Sequence, residues 1–148
     1  MVRLVALIWM FCASALWAEV PILSAPEAQS RLNAGDLIVL DIRRPAEWKE
    51  TGVAKGAWPV SMHRSDFGQQ LQLILAEYQP DQIALICATG VRTARVTQQL
   101  EKYGLTGIHD LSEGMLGNPR GPGWIARGLD IVSAEDAMRL YEAERQGW

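Results

Sequence analysis

Two short apolar runs constrain this chain more than any other feature. Leu37-Ile38-Val39-Leu40 ends at Asp41, and Ile83-Ala84-Leu85-Ile86 ends at Cys87. Both runs are continuous rather than alternating, so both sides of each strand are apolar. Strands of that kind are buried on both faces, as in parallel sheets covered by helices. Helical segments lie between and around them. Apolar residues at 67, 71, 74, 75 and 78 form one stripe, at the spacing of a core-facing helix. Ala94, Val96, Leu100 and Tyr103 form another after Cys87, and Gly104 can stop that helix. The alternation predicts an α/β fold, with a mostly parallel central sheet and helices on both faces. Sites in such sheets lie beyond the C-terminal strand ends. Asp41 and Cys87 both stand there.

The remaining segments fit around those two strands. Glu19 to Leu23 reads as an extended lead-in. Ser24-Ala25-Pro26-Glu27 reads as a helix start, with Ser24 and Glu27 spaced as a capping box and Pro26 in the first turn. Gly35 can end that helix. Asp41 to Glu50 reads as a loop with a short helix, in which Asp41, Arg43 and Glu47 form an ion-pair network that fixes the loop. Gly107 to Leu111 is a weak short strand. Glu113 to Gly128 holds five glycines and two prolines, so it is expected to be a long irregular loop anchored by Trp124. The last helix starts at Ser133, with Asp136 three residues on and Ala137, Leu140 and Tyr141 facing inward.

Residues 1–18 stand apart. Arg3 precedes an apolar run from Leu4 to Leu16, and Ala13-Ser14-Ala15 or Ala18 offers a small-residue cleavage site. This is the pattern of a secretory signal peptide. Cleavage after Ala18 is expected, because Glu19-Val20-Pro21 reads as a mature start. The run is shorter than the ~20 residues of a spanning helix. The expectation is a periplasmic or secreted protein with no stable membrane association after processing, its residues 19–148 forming a single domain. The formal charge is −3 and the only adjacent basic pair is Arg43-Arg44, which excludes nucleic-acid binding through a basic face. Cys12 lies inside the signal, so processing leaves Cys87 as the only thiol and permits no internal disulfide. His63 and His109 show no ligand spacing. Surface or loop roles are expected for both, with no metal and no cofactor.

The chemistry concentrates in Cys87-Ala88-Thr89-Gly90-Val91-Arg92. A loop that runs from a strand into a helix presents backbone N–H groups to anions. The same field favours the thiolate form of a cysteine, which is the nucleophile. Arg92 puts a cation where the helix dipole disfavours one, which makes sense if it faces an anion. Cysteine phosphatases and arsenate reductases place five residues between the cysteine and the arginine. Here four intervene, Ala88 to Val91. The tighter cradle suits a sulfur atom carried on the thiolate rather than a tetrahedral phosphate, with covalent nucleophilic catalysis as the general chemistry.

At these residues the chain resembles the rhodanese-type sulfurtransferases, whose active-site loop reads Cys-x-x-Gly-x-Arg-Ser/Thr-x. Cys87 to Ala94 is similar to that loop. Asp41-Ile42-Arg43 with Glu47-Trp48 resembles the family's Asp-Val-Arg…Glu-aromatic segment. Gly52 to Ala57 resembles Gly-His-Ile-x-Gly-Ala, and Gly123-Trp124 before Gly128-Leu129 resembles the closing Trp…Gly-hydrophobic stretch. The likeness spans about residues 24–132. Val53 and Ala54 replace the family's His and Ile, and Glu113-Gly114 stands where Gly-Gly is usual. The resemblance implies a rhodanese-like domain and ping-pong sulfur transfer. Cys87 would take sulfane sulfur from thiosulfate or a similar donor, carry it as a persulfide, and pass it to a thiol or cyanide. Arg92 would assist donor-anion binding. The amides of Ala88, Thr89, Gly90, Val91 and Arg92 would stabilise the persulfide, with Thr89 and Thr93 hydroxyls as further donors and Asp41 and Arg43 in support. The alternatives are a non-catalytic sulfur- or partner-binding module and a single-cysteine redox protein, the latter lacking a resolving cysteine.

Overall fold

The computed structural model describes residues 19–146. The expected signal segment, Cys12 within it and the terminal Trp148 lie outside the described residues. The elements run α1 (Ala25–Ala34), β1 (Ile38–Asp41), α2 (Pro45–Thr51), β2 (Val53–Ala54), β3 (Trp58–Pro59), α3 (Phe67–Leu75), β4 (Ile83–Ile86), α4 (Val91–Lys102), β5 (His109–Asp110), α5 (Gly123–Ala126), β6 (Ile131–Val132) and α6 (Ala134–Arg145). Four strands form a sheet in the order β3-β1-β4-β5, every pairing parallel. β2 and β6 form a separate antiparallel pair. The expected extended lead-in joins the sheet edge: Ile22 bridges Asp110 in parallel.

The two apolar runs are the central strands, and their continuity has the expected cause. Val39, Ala84 and Ile86 point into one buried cluster with Ala25, Ala28, Met115 and Trp124. Ile38, Leu40, Ile83, Leu85 and Cys87 point into the other, with Leu71 and Ile74 of α3 and the partly buried Val96 and Leu100 of α4. Successive strand residues alternate sides, so a strand covered on both faces must be apolar at every position. Val53 and Ala54 are wholly buried in β2, which explains apolar residues at both positions. α6 closes the β3 edge, where the rings of Trp58 and Tyr141 lie 5.5 Å apart. Covering an edge strand removes a site for unwanted pairing.

Three local expectations need correcting. Ser24 makes no side-chain cap bond at the start of α1. The Ala25 amide donates instead to Glu113 Oε1 at 2.9 Å. Leu140 is 43% exposed, not inward. α6 turns Ala137, Met138 and Tyr141 toward the two clusters instead. The 113–128 stretch is not irregular throughout, since it contains α5. Trp124 does anchor it: the residue is wholly buried and its Nε1 donates to the Asp130 carbonyl at 2.9 Å. Ser133 caps α6 as expected, accepting from the Asp136 amide at 3.0 Å.

Candidate active site

Parallel register decides what meets at the strand ends. Asp41 pairs with Ile86 across β1 and β4, so the two strands end together and Cys87 leaves β4 next to the end of β1. Cys87 follows the inward parity of Ile83 and Leu85, and its side chain is 1% exposed. The sulfur therefore lies at the floor of the loop rather than on the surface. The Gly90 amide donates to Cys87 Sγ at 3.1 Å. Thr93 Oγ1 lies 3.8 Å from the same sulfur and is 3.0 Å from the Gly90 carbonyl, to which it donates. The first turn of α4 closes with the Ala94 amide on the Gly90 carbonyl at 3.1 Å. Helix geometry leaves the amides of Val91, Arg92 and Thr93 without intrahelical partners. They border the cysteine loop. Thr89 and Val91 are exposed and Ala88 is partly covered.

Gly90 is required on two counts. Its φ is +79°, a left-handed conformation, and a Cβ there would stand 1.9 Å from the Ser112 carbonyl oxygen. Close approach and backbone conformation both demand glycine. The segment after β5 forms the support. Met115 and Leu116 amides donate to the Cys87 and Ala88 carbonyls at 2.9 and 2.8 Å. Asn118 Nδ2 donates to the Thr89 and Ser112 carbonyls at 2.8 and 2.6 Å. Residues 112–118 thus underpin the cysteine loop. Glu113 holds this support in place. Besides Ala25, it accepts from the Gly123 amide at 3.0 Å and from Arg127 Nε at 2.8 Å. Burial opposes its ionisation most strongly, yet Arg127 and the two amides together hold its carboxyl below the usual carboxylate range. Its replacement of a usual glycine was the signal in the sequence; Asn118 carried none.

The anion facing Arg92 is Glu47 of α2. Arg92 Nη1 and Nη2 reach the two Glu47 oxygens at 2.7 and 2.5 Å, a bidentate pair. Arg92 holds the Glu47 carboxyl down at about 2, against opposition from burial, with help from the Arg44 amide. The Arg92 guanidinium is shifted upward, chiefly by Glu47, with Cys87 and Asp41 adding to it. This corrects the expected network. Asp41 and Arg43 do pair, at 2.6 Å, but Glu47 pairs across to α4. The remaining Arg43 donors go to Thr51 Oγ1 and the Gly52 carbonyl, each at 2.7 Å. Arg43 is thereby spent on tying α2 to β1.

The histidines stand away from this loop. His63 is exposed. His109 lies on β5, not on a loop, with Nε2 3.1 Å from the Asp81 carbonyl. Burial pushes its imidazole pKa down. No cluster of three or more metal-ligating side chains is found among the described residues.

The arrangement places the chain among α/β proteins that carry a cysteine in a strand-to-helix anion loop. A family model for the Rhodanese-like domain matches residues 24–117. That is well over half of the 148 residues, and the chain belongs to the rhodanese-like domain family. No curated protein matches it significantly. Solved structures share the fold at low identity. The Alr3790 protein from Anabaena sp. is 18% identical with a TM-score of 0.60, covering 85% of this chain and 94% of that one. The polysulfide-sulfur transferase homodimer from Wolinella succinogenes is 24% identical with a TM-score of 0.56, covering 77% and 79%. A protein of unknown function from Rhodopseudomonas palustris, possibly a tyrosine phosphatase, is 22% identical with a TM-score of 0.51, covering 76% and 85%.

Proposed function

We propose that this protein is an extracytoplasmic sulfurtransferase that carries sulfane sulfur as a Cys87 persulfide. The observation that carries this reading is the Gly90 amide on Cys87 Sγ at 3.1 Å, in a loop with only four residues between cysteine and arginine. The Cys87 thiolate attacks the outer sulfur of thiosulfate or a similar donor. A new S–S bond forms, the donor's S–S bond breaks, and sulfite leaves with its electron pair. The amide donors around the loop stabilise the anionic outer sulfur of the persulfide, and the buried setting strengthens them. A cyanide or thiolate acceptor then attacks that outer sulfur and Cys87 leaves as thiolate. Arg92 receives the donor anion in competition with Glu47. The loop count argues against phosphate chemistry. The Wolinella protein's sulfur transfer agrees with the proposal. Location outside the cytoplasm follows from the leader-like residues 1–18.

The test is direct. Purified protein is incubated with thiosulfate and weighed intact. The expected result is a gain of one sulfur, removed by cyanide and absent in Cys87→Ser. Wild-type protein that gains no sulfur from thiosulfate or polysulfide overturns the reading. Cell fractionation of the chain expressed with its own leader checks the location.

A further inference from the structure

Beside α4 lies a cavity of about 320 Å³. Glu19, Val20, Thr97, Glu101, Asp110 and Arg120 are among its lining residues. Two carboxylate oxygens there, Asp110 Oδ1 and Glu101 Oε1, are buried and have no hydrogen-bond partner among the described residues. Asp110 is only 4% exposed. Leaving such an oxygen without a donor is costly. Burial pushes the Asp110 carboxyl pKa up, with Thr93 and Arg120 opposing, as expected of a buried acid short of counter-charge. Three carboxylates, those of Glu19, Glu101 and Asp110, share the cavity with one guanidinium, Arg120. The carboxylates outnumber the guanidinium by two, and the two orphaned acceptors are what a primary ammonium satisfies.

The chain brings a candidate ammonium to this place. The Asp110 amide donates to the Pro21 carbonyl at 2.9 Å, and the Leu23 amide to the Asp110 carbonyl at 3.1 Å. Residues 21–23 are thereby fastened beside Asp110, and Glu19, two residues upstream of Pro21, lines the cavity. We propose that Asp110 and Glu101 form a binding site for a primary ammonium, occupied by the α-amino group of Glu19 released on cleavage after Ala18. In the uncleaved chain that nitrogen is an amide with one proton and no charge. Cleavage would turn it into a cation with three donors at the cavity wall.

The full chain, expressed with its own leader, is recovered from the exported fraction and its first residue is read by intact mass. The α-amine is then labelled with an amine-reactive ester at neutral pH, folded and in urea. We expect the chain to begin at Glu19. Pairing that raises the amine pKa by one unit slows labelling of the folded form about tenfold relative to the urea form. Glu101→Gln and Asp110→Asn, each made separately, restore most of the lost rate. The proposal is overturned by a chain that keeps residues 1–18 or begins elsewhere, or by a folded α-amine that labels as fast as in urea. It is equally overturned by a slow rate that neither variant changes, which would mean steric cover without pairing.

Discussion

Two arginine–carboxylate pairs stand at neighbouring strand ends, and they differ in what surrounds them. Asp41 and Arg43 are 0% and 1% exposed. The Arg43 guanidinium bonds to Asp41 in β1 and to Thr51 and Gly52 at the end of α2. Arg92 and Glu47 are 24% and 28% exposed, and their pair bridges two elements rather than neighbouring residues. The first pair is sealed and serves as structure. The second is partly exposed, as the proposed donor binding at Arg92 requires. Exposure, rather than residue type, separates the two roles: a sealed pair cannot exchange partners without stranding a charge.

The comparison breaks most visibly at Arg43. Replacing it by alanine leaves the buried Asp41 side chain without its partner, at a cost of about 3–5 kcal/mol. Urea unfolding measures it, and a loss under about 1 kcal/mol would mean that water reaches Asp41 after all. Arg92→Ala is expected to behave in the opposite way. Stability falls by about 1 kcal/mol or less, while the rate of sulfur loading from thiosulfate falls about 100-fold. Arg92→Lys recovers only part of that rate, because a lysine cannot make the bidentate contact. Equal destabilisation by Arg43→Ala and Arg92→Ala would erase the distinction.

A smaller effect follows pH. The Glu47 carboxyl is depressed from 4.5 to about 2 in the folded protein. Its contribution to stability is therefore present above 4.5 and lost as pH falls toward 2. The stability difference between wild type and Glu47→Gln should narrow through that window, and a difference that stays constant from pH 7 to 2 contradicts the pairing. Smallest of all is Lys55→Ala. Lys55 and Asp130 lie 3.7 Å apart with both side chains more than half exposed, at 62% and 58%. No measurable change in Tm is expected, in contrast to both pairs at the strand ends.

Much of this arrangement is legible in the letters. The two apolar runs became β1 and β4, within a residue of their expected ends. The helical stripe at 67–75 became α3, and Tyr78 beyond it still packs on the core. Cys87 stands where the apolar run ends, at the start of the short loop that opens α4. Local signals mislead wherever a distant group replaces a near one. Ser24 was the local choice for capping α1, but Glu113, 88 residues away, supplies the acceptor. Spacing groups Glu47 with Asp41 and Arg43, yet its partner lies 45 residues on. The β2–β6 pair joins segments with no shared local signal.

By itself, then, the sequence determined the two central strands, the helices between them and the loop that ends at Arg92. Those choices rest on side-chain period and turn chemistry, which act over a few residues. Tertiary structure alone decided that Arg92 meets Glu47, that Glu113 carries the support beneath Cys87, and that the cysteine sulfur is covered. Charged and polar side chains choose partners by what is brought within about 3 Å. Here the parallel register of β1 and β4 and the packing of helices across the sheet make that choice.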